Sequence, residues 1–311
     1  MGQKYRRDTV RTVFFNFKLF FARPLRTIKI VLRNPRILKE RVKYRTNDIL
    51  AYLAYYYYSY DYRIIFIAGL PKSGTTWVET QLARVPGYNL RGIYDPQGVA
   101  LNHDISDTIF NSLPKRGYTI LKLHTRYSPQ NFEVIRKHVP KFMVMIRDLR
   151  DMCVSRYFDC KSRPAHRHHE LYNQETLEVG LSHCISIIED EYVDWVRDWV
   201  RVVKQNPDLI LLVTYEELNH SPRETFRKIL YFFHLPTNEK LVARLASSKL
   251  KKSENLAQNI EKTSAGLLRS TARKGITGDW KNHFSTAHKK QFKAIAGDLL
   301  IELGYEKDFN W

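Results

Sequence analysis

The chain has 311 residues, of which 43% are hydrophobic and 27% charged, enough apolar material for a sizeable core and too much for a disordered chain. Its 51 Lys and Arg against 32 Asp and Glu give a formal charge of +19, a field that attracts phosphorylated small molecules, anionic lipid or nucleic acid without choosing among them. Cys153, Cys160 and Cys184 form no CxxC pair and are odd in number, which argues against a disulfide framework or a zinc site and for a reducing, cytoplasmic compartment.

Residues 1–60 read as a basic, aromatic N-terminal extension ending in "AYLAYYYYSYDY". Arg and Lys interrupt "VFFNFKLFFARPLRTIKIVL", so it fits neither a membrane span nor a secretory signal. Arg6 stands where a myristoylation motif following Gly2 needs Ser or Thr. Two readings stay open for this segment: packing on the protein's own body, or lying in an anionic headgroup layer as a peripheral membrane anchor.

From residue 61 to 311 short apolar runs alternate with helical patterns. "RIIFIAGL", "YTILKLHT", "KFMVMIRD" and "LILLVTYEEL" read as buried strands. Helices are expected at 75–86, about 129–138, 149–160 and 221–233, the last with Ser221 as N-cap and Pro222 in the first turn. This alternation predicts an α/β domain, a P-loop-like parallel sheet flanked by helices on both faces, with ligands beyond the carboxyl ends of the strands. The stretch 161–175 reads as a polar loop, and 250–275 is uncommitted. The histidines of "AHRHHE" lack a ligand spacing and suit an acceptor-side loop better than a metal site. Trp195, Val196, Trp199 and Val200 follow helical spacing and belong to the core or to the floor of an acceptor pocket.

The loop "GLPKSGTTW" after the first strand is almost a Walker motif. Gly69 and Gly74 have the right separation, but Thr75 follows the second glycine and the lysine, Lys72, lies inside the turn. A nucleoside triphosphatase needs its lysine and metal at the transferred phosphate, so the displacement argues against one. The anion cradle survives, because a glycine-containing turn still leads into a helix N-terminus with its free amides and positive dipole end.

"PKSGTTW" is similar to the phosphosulfate loop of the sulfotransferases that use 3′-phosphoadenosine 5′-phosphosulfate (PAPS). Two further signatures of that family follow in order: "RDLRDMCVS", with Leu149 replacing the usual proline, and "RKGITGDWK". Together they span residues 62–285. The resemblance implies Lys72, Ser73, Gly74, Thr75 and Thr76 at the 5′ end of PAPS, and Arg147, Ser155, Arg273, Lys274 and Gly275 at its 3′-phosphate. Trp77 and Tyr215 would then meet adenine, while Ser248 stands where cytosolic members commonly carry an adenine-contacting phenylalanine. It also implies His124 as general base, with Lys122 on the same strand face and Lys72 as cationic catalysts, and Glu79 as the rival base. The expected product is adenosine 3′,5′-bisphosphate (PAP), formed with no metal; no nucleic-acid partner is expected, and the oligomeric state is not encoded. The expected acceptor is a hydroxyl or amine of a small molecule or lipid, an amphiphilic alcohol foremost. Competing readings are a variant P-loop kinase or NTPase, and a basic nucleic-acid- or membrane-binding module without catalysis.

Overall fold

The computed structural model describes residues 52–90, 95, 98–164, 166–247 and 274–311. The chain divides into two compact units, 1–50 and 51–311. The expectations for residues 1–51, for the uncommitted stretch 250–273 and for Ser248 and Arg273 therefore lie outside the described residues.

Five parallel strands form one sheet in the order β2–β3–β1–β4–β5, where β1 is Ile64–Gly69, β2 Tyr88–Leu90, β3 Tyr118–Leu123, β4 Phe142–Ile146 and β5 Ile210–Thr214. Four of the five are the runs expected from the sequence. The fifth, β2, was not anticipated: at three residues it is too short to show a period, and its pairing with β3 creates it.

Both sheet faces are buried, and side-chain alternation distributes the strands between two cores. Ile64, Phe66 and Ala68 of β1 enter one, Ile65 and Ile67 the other; Phe142, Val144 and Ile146 of β4 oppose Met143 and Met145 in the same way. The helices are α1 (Thr75–Leu82), α2 (Asp107–Asn111), α3 (Pro129–His138), α4 (Leu149–Lys161), α5 (His169–Gln174), α6 (Leu177–Ile188), α7 (Asp194–Gln205), α8 (Tyr215–His220), α9 (Pro222–Phe232), α10 (Glu239–Ala246) and α11 (Thr286–Glu302). Helices α2–α7 and α11 cover the first face, and α1, α9 and α10 the second. Tyr55, Tyr58 and Tyr60, from the aromatic run, pack against the second core, where the Tyr118 hydroxyl takes the Tyr60 amide.

Three local expectations change. Helix α1 stops at Leu82 instead of 86, because the amides of Arg84 and Val85 turn back to Gln81 and Leu82 ahead of Pro86 and Gly87. Ser221 sits at the N-cap of α9 but its side chain makes no cap bond; α8 runs directly into it, and its amide is already bonded to Glu217. The polar stretch 161–175 contains α5, held by the fully buried Tyr172. Among the described residues no helix is long and apolar enough to cross a membrane.

Candidate active site

The site lies where β1, β3, β4 and β5 release their carboxyl ends. Between β1 and α1 the chain turns through Lys72, at φ 66°, and Gly74, at φ 80°, two left-handed residues in three. Glycine is needed twice here. A Cβ on Gly69 would stand 2.0 Å from Thr75 Cγ2, and one on Gly74 would stand 2.8 Å from the Tyr215 ring. The buried Ser73 closes the turn, its hydroxyl donating to the Leu70 carbonyl at 2.6 Å and its amide bonding to the same oxygen. Gly74 is the N-cap of α1 and supplies no side chain, so the amides that open the helix point out of the loop without intrahelical acceptors. That is an anion cradle.

Arg147 follows β4 and ties this cradle to the rest of the site. Its guanidinium donates to the Lys72 carbonyl at 3.2 Å and the Ile276 carbonyl at 2.9 Å, lies 4.1 Å from the Tyr215 ring centroid, and reaches Asp151 at 3.4 Å. Its Nε is buried without a partner. Asp151, one turn along α4, accepts the amides of Gly278 at 2.7 Å and Trp280 at 3.0 Å, fixing the "GDW" turn beside Arg147. Burial raises the Asp151 carboxyl above its ordinary range against the pull of Arg147. Asn219 completes the junction, donating to the Gly275 carbonyl at 2.6 Å and to the Tyr215 hydroxyl at 3.4 Å.

The "RDLRD" run is thus divided in use. Arg147 and Asp151 build the site. Asp148 caps α4 and pairs with Arg150, whose guanidinium is held between Trp280 at 3.9 Å and Trp311 at 4.4 Å and anchors the C-terminal segment. Ser155, two turns beyond Arg147 on α4, is buried. Glu217 forms a capping box with Thr214, and Glu216 accepts the Asp148 amide and the Tyr305 hydroxyl.

His124 follows β3. Its Nδ1 lies 2.6 Å from the Gly69 carbonyl, and since a carbonyl only accepts, Nδ1 carries the proton and Nε2 the lone pair. Burial first, then the nearby Lys122 charge, lowers its pKa to about 4, so the imidazole is neutral at ordinary pH. Trp199 donates its indole N–H to the Thr125 carbonyl at 2.9 Å, which anchors the chain just after His124. Glu79 lies within the electrostatic reach of Lys122, and burial raises its carboxyl above the ordinary range.

Other expected residues have committed partners. The Lys72 ammonium is 3.4 Å from Asp159 of α4, an acid that no sequence motif marks, and burial lowers the lysine's pKa while Asp159 opposes that. Lys274 is paired with the buried Asp279 at 2.9 Å. Trp77 is buried edge-to-face on Phe226, with its indole N–H unpartnered. Asp151, Asp159 and Asn219 are missed by sequence reasoning because their roles depend on contacts between segments distant in sequence. Only Asp151, four residues after Arg147 on a predicted helix, leaves a readable signal.

The model of the sulfotransferase domain matches residues 63–304. Zebrafish (Danio rerio) sulfotransferase 6B1 is 25% identical over 237 residues, covering 74% of this chain and 76% of its own. Mouse (Mus musculus) sulfotransferase 2B1 is 27% identical over 256 residues, covering 74% and 69%. Among solved structures, mouse sulfotransferase SULT7A1 complexed with PAP superposes with a TM-score of 0.59 at 20% identity, over 78% of this chain and 88% of that one. Retinol dehydratase, solved with androsterone and PAP, gives 0.52 at 17% identity, over 82% and 85%. Both show the same fold.

Proposed function

This chain belongs to the sulfotransferase family, and from that premise we propose that it transfers a sulfuryl group from PAPS to a hydroxyl or amine of a small acceptor, with His124 as general base. The observation that carries the reading is the single cradle made by Gly74, Arg147, Tyr215, Asn219 and the Gly275–Gly278 turn. Its fit to a nucleotide bearing phosphates at both ends is supported by two features: helix-opening amides beside a glycine that tolerates no Cβ, and a buried arginine with an orphaned Nε. PAPS, when bound, supplies the sulfuryl group and a phosphate leaving group. Lys72 and the α1 amides would hold its 5′ end, and Arg147, Ser155, Lys274, Gly275 and Arg273 its 3′-phosphate. Tyr215 and Trp77 would hold the adenine. Two structural neighbours were solved in complex with PAP, which supports this choice.

His124 takes the acceptor proton at Nε2, because Nδ1–H is spent on Gly69. Lys122 and Lys72 both lie within electrostatic reach of His124, which favours negative charge developing there. No step asks for a metal. Retinol and androsterone, bound in neighbouring structures, are both alcohols, and support a hydroxyl as the acceptor group. A lipid acceptor and a peripheral membrane position rest on the composition of residues 1–60 alone, and a cytoplasmic setting on the cysteine usage. Incubation with sulfur-labelled PAPS and pools of lipid, sugar and phenolic alcohols tests the reading. Label should appear in an acceptor with the native chain and not with His124→Ala; label retained by the variant would assign the base elsewhere, with Glu79 the first alternative.

A further inference from the structure

We propose that the acceptor carries an anionic group, a carboxylate or phosphate, and that Arg156 of α4 receives it; this rests on the sulfotransferase reading above. Arg156 follows Ser155, and its guanidinium lies 5.8 Å from the Tyr192 ring. Its Nε is buried without a hydrogen-bond partner, and among the described residues no carboxylate stands at ion-pair distance from it. The residue is only part-buried, so its terminal nitrogens stay accessible while its Nε is cut off from water, which leaves hydrogen-bonding capacity for an arriving anion.

The surroundings place that cation on the acceptor side. Tyr192 also contacts His103, ring to ring at 5.9 Å. His103 is held in a left-handed turn at φ 62°, and its carbonyl accepts the amide of Arg126, two residues after the base His124. Arg156, Tyr192 and His103 are thus linked contact by contact to the segment that follows β3, and His103 lies within electrostatic reach of His124. The acids near these residues are all engaged with other cations. Asp159 holds Lys72 and Arg163, Glu191 meets Arg167 at 3.3 Å, and Asp104 pairs with Arg126. Burial first, with Arg126 and Arg156 adding to it, keeps His103 below the ordinary imidazole value, so Arg156 is the standing charge of the three.

Two measurements decide the proposal. The first follows melting temperature with benzoate, phenyl phosphate and neutral benzyl alcohol, in the presence and absence of PAP. The two anions should raise the native Tm in a saturable way and benzyl alcohol should not. Arg156→Gln should abolish the anion effect while leaving PAP affinity at the native value and its own Tm no lower than native, since it removes an uncompensated charge. No saturable anion effect on the native chain, or an equal effect on Arg156→Gln, overturns the proposal. The second compares turnover of 4-hydroxybenzoate with that of its methyl ester. The acid should be favoured by about tenfold or more in kcat/KM, the worth of one charge-assisted hydrogen bond, and Arg156→Gln should bring the ratio towards one. A native preference for the ester, or an unchanged ratio in the variant, contradicts it. Failure of PAP itself to bind would sink the sulfotransferase reading instead, and the anion effect without PAP reports separately.

Discussion

The two halves of the site are built on opposite terms. On the cofactor side, polar groups are held by the chain itself: Arg147 by two carbonyls and Asp151, the "GDW" turn by Asp151, and Gly275 by Asn219. On the proposed acceptor side a histidine is fixed through one nitrogen only, and among the described residues Arg156 has no carboxylate at ion-pair distance. The first half is organised before ligand arrives, by bonds between segments far apart in sequence. The second keeps unmet hydrogen-bonding capacity, which is what a variable acceptor site requires.

Substitutions should affect the two halves separately, and the largest effect should fall on the base. His124→Ala should lower kcat by about 10²–10⁴-fold while leaving PAP affinity unchanged by calorimetry; a parallel loss of PAP binding would move His124 into the cofactor half. Gly74→Ala forces a left-handed alanine into the Tyr215 ring and should cost about 1–3 kcal/mol of stability by chemical denaturation, together with PAP affinity. Arg147→Ala should weaken PAP binding by about 2 kcal/mol or more, roughly thirtyfold, with a smaller effect on a saturated turnover rate. An unchanged Kd would remove Arg147 from the phosphate site.

Asp151→Asn probes the cofactor half through a residue that bonds only to the chain. One backbone amide of the "GDW" turn loses its acceptor, so PAP affinity and stability should each fall by about 1–2 kcal/mol, while the acceptor KM stays put. A further effect is in the pH dependence. In the proposed mechanism the neutral form of His124 is the base, and burial lowers its pKa to about 4, so the acid limb of kcat/KM should lie near there rather than near 6.5. Between those values the unfolded chain binds the extra proton. Stability should accordingly fall as pH drops through that window, by at most about 1.4 kcal/mol per unit, and His124→Ala should remove that contribution.

Much of the cofactor half is legible in the sequence. The strand runs and the glycines of "GLPKSGTTW" obey local rules, since buried apolar runs and the geometry of a strand–turn–helix leave marks within a few residues, whereas Arg147 is legible only through the family resemblance. The rest requires the fold. β2 exists only through its neighbour β3, and α5 only because Tyr172 is buried in the core that α4 and α6 share. Lys72 reads as a lone cation until α4 brings Asp159 beside it. Arg156 reads as an ordinary helix-surface residue between Ser155 and Tyr157; its buried, unpartnered Nε appears only in three dimensions.

Whether the cradle at Gly74 and Arg147 was built for a sulfuryl donor or for a nucleoside triphosphate can be read from calorimetric titration with PAP in the absence of magnesium, set against ATP with magnesium. The geometry predicts saturable, one-to-one binding of PAP without metal and weak or no binding of ATP. Tighter binding of ATP with magnesium, and none of PAP, would contradict it.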